Sequence, residues 1–193
     1  MKKSVFVKRV LDGLPGFASH DTYFYLSPNE EILSGFCCEM TPHGAYVWRF
    51  VYPLFDKFQS FHLSYSQRLS GEQGYIDFST TSRSQLAAEF LSRIEPVIAA
   101  CKETVTLLQF ISHFEEHGLG ANPRLYLILG YAKVLAGERD EALVILQNAS
   151  ENLNGSSLTD CQEIFNLLQA DMVLASNRIL AYANEMSRAL HLV

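Results

Sequence analysis

Tyr46-Val47-Trp48-Arg49-Phe50-Val51-Tyr52 reads as a β-strand that is apolar on both sides. Tyr46, Trp48, Phe50 and Tyr52 recur at every second position and share one face, while Val47, Arg49 and Val51 take the other. Only Arg49 breaks the apolar character, which places the strand centrally in a sheet. Upstream, Ile32–Met40 puts Ile32, Phe36, Cys38 and Met40 on one face, and Thr22–Ser27 makes a short aromatic strand. Downstream, Phe61, Leu63, Tyr65 and Leu69 alternate with His62, Ser64, Ser66 and Arg68, the pattern of a strand with one face on a core and one in water. Tyr75–Phe78 is a short fifth candidate. Turn formers connect these segments at Ser27-Pro28-Asn29, at Thr41-Pro42-His43-Gly44 and from Pro53 through Ser60. Such links are too short for parallel crossovers, so the expected sheet is an antiparallel meander of four to five strands.

A short helix precedes the sheet. Phe6, Val10 and Leu14 recur at a spacing of four within Lys2–Leu14, and Pro15-Gly16 stops the run. Beyond residue 80 the period becomes helical. Leu86, Phe90 and Ile94 form a stripe with Ser82 or Ser84 as N-cap, and Pro96 kinks or restarts the helix. A long second segment then runs to His117 and ends at Gly118-Leu119-Gly120. Pro123 opens a helical hairpin, Leu125–Ala136 and Glu141–Leu153, that turns at Gly137-Glu138-Arg139-Asp140. After Asn154-Gly155-Ser156-Ser157, Thr159 or Asp160 caps a final helical region reaching Leu192, with a break near Ala170–Ala175. The fold class is α+β. Residues 1–80 are sheet-rich and 81–193 helical, and with no long linker between them the parts are expected to pack as one compact unit.

Composition supports this division. Of the 23 aromatic residues, 16 lie in residues 1–80, as a sheet-rich part requires. Hydrophobic residues are 48% of the 193, which excludes a wholly disordered chain. No apolar run approaches the ~18 residues of a membrane-spanning helix. The net charge is −6, of which −5 falls in residues 81–193. That balance disfavours nucleic acids and anionic lipid and attracts a basic protein partner. Lys8, Arg9 and Asp12 interrupt the start before any leader-like apolar stretch forms, so the cytoplasm is the expected location. Cys37, Cys38, Cys101 and Cys161 form no C-x-x-C pair and are expected to be reduced, buried thiols. Phosphate-loop, dinucleotide and nucleophile-elbow motifs are absent, and no cofactor or catalytic residue is assigned.

Two local patterns remain. His113-Phe114-Glu115-Glu116-His117 matches H-x-x-E-H, which on a helix puts His113 and His117 on one face, able to hold Zn²⁺ while Glu116 polarises a bound water. The pattern resembles that of inverzincin metalloproteases, and the resemblance implies a third, acidic ligand downstream, for which Glu163 or Glu185 would serve. The simpler reading is a charged last turn of a helix, where histidines suit the C-terminal dipole, and no metal site is assigned. Leu129-Gly130-Tyr131-Ala132, Gly137, Asp140-Glu141-Ala142-Leu143 and Ala149 resemble one tetratricopeptide-type hairpin over residues 124–150, which implies packing and a partner groove without chemistry.

The first part carries Leu14-Pro15-Gly16-Phe17, Tyr23-Phe24-Tyr25, Tyr46-Val47-Trp48-Arg49-Phe50, Pro53-Leu54-Phe55 and His62-Leu63-Ser64-Tyr65-Ser66. Over residues 5–80 it resembles small bacterial immunity proteins of polymorphic and contact-dependent toxin systems. The resemblance implies a cytoplasmic binder that neutralises a toxin domain and has no catalytic residues of its own. The expectation is therefore a non-catalytic protein-binding protein. A helical adaptor or chaperone using residues 121–193 is the alternative, followed by a zinc-dependent hydrolase at His113, Glu116 and His117.

Overall fold

A computed structural model of the chain describes residues 2–57, 61, 63–71, 74–79, 81–82, 84–103, 105–117 and 122–192, with the backbone alone at Leu63 and His117. The chain forms two compact units. The first comprises Met1–Asn29, Leu33–Tyr52 and Ser60–Val105, and the second Glu30–Ile32, Pro53–Gln59 and Thr106–Val193.

In the first unit α1 (Lys3–Asp12) buries Phe6 and Val10, one stripe of the helix. An antiparallel sheet follows, made of β1 (Ala18–His20), β2 (Tyr23–Tyr25), β3 (Ile32–Met40), β4 (Gly44–Pro53), β5 (Ser66–Arg68) and β6 (Tyr75–Asp77). The strand order is β1-β2-β3-β4-β5, with β6 also on β4. Phe50 to Trp48 of β4 pairs with Ser66 to Arg68, and Tyr46 to Gly44 pairs with Tyr75 to Asp77. Between them Leu69 N donates to Val47 O, and Val47 N to Gly74 O. β5 and β6 are thus one meander strand interrupted between Leu69 and Gly74.

The sheet is covered by helices on one face. There Phe24, Phe36, Cys38, Ala45, Val47 and Ile76 share a core with Phe6 and Val10 of α1, Leu86 and Phe90 of α2 (Leu86–Arg93), and Val97 and Cys101 of α3 (Glu95–Lys102). Phe24 stacks on its register partner Phe36 at 5.0 Å, and Phe6 meets Phe90 edge to face at 5.2 Å. Each fully buried ring contributes on the order of 2–3 kcal/mol. Arg49 lies on this face with Val47, and its guanidinium donates to Ala100 O near the end of α3 at 3.1 Å, while its Nε is buried without a hydrogen-bond partner among the described residues.

The opposite face gathers around Phe61. Its ring stacks on Tyr23 at 4.7 Å, meets Tyr52 edge to face at 5.2 Å and lies 5.6 and 5.8 Å from Tyr25 and Phe50. Gly35 makes room for this layer, because a Cβ there would sit 2.6 Å from the Phe50 ring and 2.2 Å from Phe24 O. The expected half-wet strand Phe61–Leu69 is therefore corrected. Leu63–Tyr65 is a 3₁₀ turn, only Ser66–Arg68 is extended, and Phe61 and Tyr65 are both buried. Burying the Phe61 ring among four others outweighs continued strand pairing. His62 of the expected alternation lies outside the described residues. On β4 the aromatic face is graded, with Phe50 and Tyr52 buried and Tyr46 and Trp48 half-buried, whereas β3 is buried from Ile32 through Cys38. Strand β1 had no alternating signal of its own and forms only by pairing with β2.

One cap expectation and one expected continuous helix fail here. α2 starts at Leu86, after Gln85, and Ser82 Oγ donates to Gln85 Oε1 instead of capping the backbone. The long segment to His117 is two helices, α3 and α4 (Leu107–His117). Thr106 makes the break: Thr106 N donates to Gln109 Oε1 at 2.9 Å and Gln109 N to Thr106 Oγ1 at 3.2 Å, a reciprocal capping box. Glu30 Oε2 accepts from Leu107 N as well. The expected stop at Gly118-Leu119-Gly120 lies outside the described residues.

The second unit continues with α5 (Pro123–Leu135), α6 (Arg139–Ser150), α7 (Gly155–Ala170) and α8 (Met172–Ala189). Asn122 caps α5 through its side chain, and Asp171 caps α8 by accepting from Val173 N at 2.7 Å, which sets the break expected within Ala170–Ala175. Thr159 and Asp160 lie inside α7 and cap nothing, since the helix already begins at Gly155 after Asn154. α5 is buried without interruption from Leu127 to Val134, as the central helix of a bundle must be. Gly130 lies where α5 crosses α6. A Cβ there would stand 2.6 Å from Cδ2 of the fully buried Leu146. Among the described residues, no helix is long and apolar enough to cross a membrane.

Gly130→Leu is expected to lower the stability of the chain by about 2–3 kcal/mol through overpacking. Adding Leu146→Ala restores part of the loss, and thermal unfolding of the single and double variants measures both.

Candidate functional site

Within the second unit, side chains from four segments converge on a cavity of about 320 Å³. Tyr182, Glu185, Met186 and Ala189 recur at i, i+3, i+4 and i+7 along one face of α8. Ser156, Ser157 and Asp160 come from the first turns of α7, Arg124 from the start of α5 and Lys57 from the turn after β4. Tyr182 and Met186 are buried and form the floor, while Glu185, Lys57 and Ser156 are exposed at the rim.

Almost every charge here is held by another. Asp56 has no exposed surface, and its carboxylate is ion-paired to Arg124, whose guanidinium also donates to Ser157 Oγ at 2.9 Å. Lys57 Nζ lies 2.9 Å from Asp160 Oδ1 and 4.7 Å from the Tyr182 ring centre. Arg178 donates to both oxygens of Glu163 at 2.7 and 3.3 Å and stands 4.8 Å from the same ring. The Tyr182 hydroxyl donates to Glu163 Oε2 at 3.0 Å.

These contacts fix protonation states. The Arg178 hydrogen bond holds the Glu163 carboxyl below its usual range, against a smaller opposing effect of burial. Burial, reinforced by the hydrogen bond to Glu163, pushes the Tyr182 phenol well above its ordinary value. Burial does the same for Tyr131, whose hydroxyl has no hydrogen-bond partner among the described residues. The acid thus stays ionised and the phenols stay protonated near neutral pH.

A second charged cluster lies on α5 and its neighbours. Lys133 is almost fully buried, and its ammonium meets Glu115, Glu138 and Glu141 at 2.8, 2.6 and 2.9 Å. Burial works against this charge, but the three carboxylate hydrogen bonds outweigh it and hold the ammonium protonated.

The sequence-derived zinc pattern falls on α4. His113 and Glu116 are exposed, the intervening Glu115 is engaged by Lys133, and the His117 side chain lies outside the described residues. Of the two candidate third ligands, Glu163 is taken by Arg178 and Tyr182, and Glu185 is on the cavity rim. No group of three or more His, Cys, Asp or Glu side chains placed to hold a metal ion forms among the described residues. The four cysteines are free and buried. Burial raises Cys37 to about 12, and Cys101 and Cys161 to about 11, far from the thiolate form a nucleophile needs.

Sequence reasoning missed the cavity. The i, i+3, i+4, i+7 set on α8 was visible as a helical face, but nothing in the sequence tied Lys57 or Arg124 to it. Compared with protein-family models, with curated proteins and with solved structures, the chain matches none.

Glu163 is held in its charged form by the fold, so its contribution to stability is complete above the unfolded carboxyl value near 4.5 and is lost as pH falls through the lower folded value. Glu163→Gln should accordingly lower the melting temperature at pH 7, with the gap to the parent narrowing as pH falls below the unfolded carboxyl value. At the other cluster, Lys133→Met removes the shared partner of three carboxylates that are themselves partly solvated. Denaturant titration is expected to show a loss of about 1–2 kcal/mol that shrinks in high salt.

Proposed function

We propose that this chain is a non-catalytic protein-binding protein of the immunity type, which binds a basic toxin domain through its acidic helical part and so neutralises it. The observation that carries this reading is the surface of the second unit. Among the described residues, Leu108, Tyr126, Val144, Val173 and Leu174 are large apolar side chains left exposed on its helices, and Val5 is the one counterpart in the first unit. Val173 and Leu174 are adjacent at the start of α8, 64% and 51% exposed. The same helical region carries the excess of carboxylates, −5 of the net −6. Apolar anchors set among acidic groups suit a basic partner: desolvation of the anchors supplies affinity and the charges speed encounter. The mutual pairing of the cavity's ionic groups supports the non-catalytic half of the reading. Neutralisation of this kind belongs in the cytoplasm, where an incoming toxin domain acts.

The helical adaptor or chaperone is the second reading. The close α5–α6 crossing at Gly130 favours it, because such a hairpin presents a rigid face to a partner.

Affinity capture from the source cell is expected to recover one basic protein in stoichiometric amount. Its dissociation constant should rise by about tenfold or more between low salt and ~0.5 M salt, where the Debye length falls to about 4 Å. Expression of that partner alone should arrest growth, and co-expression of this chain should lift the arrest. A harmless partner would point to the adaptor reading, and recovery of no stoichiometric partner would defeat both.

A further inference from the structure

The ion pairs of the cavity leave polar groups over on two of its walls. Asp56 balances Arg124, and Asp160 balances Lys57. What remains on the α7 wall is the start of a 16-residue helix. Asn154 gives it no side-chain cap, and its first turn carries no acid. The backbone N–H groups of Gly155, Ser156 and Ser157 have no acceptor among the described residues. Unfilled N–H groups at a helix start favour a negative charge. Ser157 Oγ accepts from the Arg124 guanidinium at 2.9 Å, so its hydroxyl proton is left to donate.

On the α8 wall the group left over is Glu185. It is exposed at the rim and has neither a hydrogen bond nor an ion pair among the described residues. Arg178 acts on it at longer range, but that guanidinium is already held by Glu163. Near the C-terminal end of α8 the helix dipole opposes a carboxylate, so this position does not favour the helix itself.

The floor supplies an independent sign of a missing ligand. Tyr131 is 2% exposed, and its hydroxyl has no hydrogen-bond partner among the described residues. Side chains on a helix lean toward its N-terminus, and Arg124 stands seven residues upstream of Tyr131 on α5. The hydroxyl accordingly lies in the field of Arg124, Asp160 and Tyr182, all three of them cavity residues. A buried hydroxyl left unpaired is costly, and an acceptor seated at the α7 end of the cavity relieves that cost. Between the two walls the surface is apolar, with Met186 buried on the floor and Ala189 one turn beyond it. A volume of about 320 Å³ stands at the small end of ligand cavities.

We propose that the cavity binds a free amino acid with an aliphatic side chain. The ligand carboxylate is received at the start of α7 by the N–H groups of Ser156 and Ser157, the Ser157 hydroxyl and, from beneath, the hydroxyl of Tyr131. Its ammonium pairs with Glu185, and its side chain lies against Met186 and Ala189. A ligand with both charges gains where a singly charged one loses. A lone anion meets Glu185 and Asp160 as like charges, and a lone cation meets Lys57 and Arg124. The site goes beyond the protein-binding reading and does not depend on it.

The test titrates the full chain with leucine and with its two one-ended analogues, isoamylamine and isocaproate, by calorimetry and thermal unfolding. Leucine should bind and raise the melting temperature, and each analogue should bind at least about tenfold more weakly. Glu185→Gln should weaken leucine by about tenfold while leaving isocaproate unchanged or tighter, because only the ammonium contact is lost. Tyr131→Phe should weaken leucine while the melting temperature of the unliganded chain stays level or rises, since the hydroxyl has no partner there. Several outcomes overturn the proposal. One is no binding of leucine, isoleucine, valine or methionine at ~10 mM, weaker than any useful affinity. Isocaproate binding as tightly as leucine would reduce the site to a simple anion site, and isoamylamine doing so would reduce it to an acidic rim. Undiminished leucine binding by Glu185→Gln or Tyr131→Phe would remove the assigned contacts.

Discussion

Asp56 is a carboxylate with no exposed surface, and a charge buried in that way is sustained only by a partner of opposite sign. Arg124 is that partner, and the consequences spread through the second unit. Holding Asp56 fixes the start of α5 against the turn that follows β4. The same guanidinium reaches Ser157, so the first turn of α7 is fixed as well. Lys57, next to Asp56 in sequence, then reaches Asp160 on α7 and the face of Tyr182 on α8. One buried ion pair therefore positions three helices around a common cavity. Removing the Arg124 guanidinium from beside a fully buried carboxylate is expected to cost about 3–5 kcal/mol.

The first unit depends on apolar constraint instead. β3 is buried on both faces, so its register cannot slip by one residue without exchanging every side chain between two different cores. One core is helical and contains the Phe24–Phe36 stack. The other is an aromatic layer centred on Phe61, and it requires the missing side chain of Gly35. Arg49 is the exception on β4, where one carbonyl at the end of α3 accepts from its guanidinium.

Beside the cavity, Arg178 holds Glu163 ionised and burial keeps the Tyr182 phenol protonated, and Lys133 is shared among three carboxylates. Left unengaged among the described residues are exposed apolar side chains on the helices and the Glu185 carboxylate.

Local pattern alone was enough to locate β3, β4, the α5–α6 hairpin and the break before α8, because each rests on signals within a few residues: alternation of side chains, a proline at a helix start, an aspartate that caps. The capping box at Thr106 and Gln109 was equally local and marks the division of α3 from α4. Strand β1 and the course of Phe61 through Arg68 were decided elsewhere. β1 exists because β2 offers it hydrogen bonds, and Phe61 leaves the expected strand because four rings distant in sequence bury it. The cavity belongs wholly to the tertiary structure. Lys57, Arg124, Asp160 and Tyr182 carry no shared spacing, and only the long-range pairing of a buried carboxylate brings them together. Sequence thus determined where the chain is regular and how its charge is distributed, since those follow from near neighbours. Folding decided which charged and aromatic groups meet, since that depends on desolvation that no single segment experiences alone.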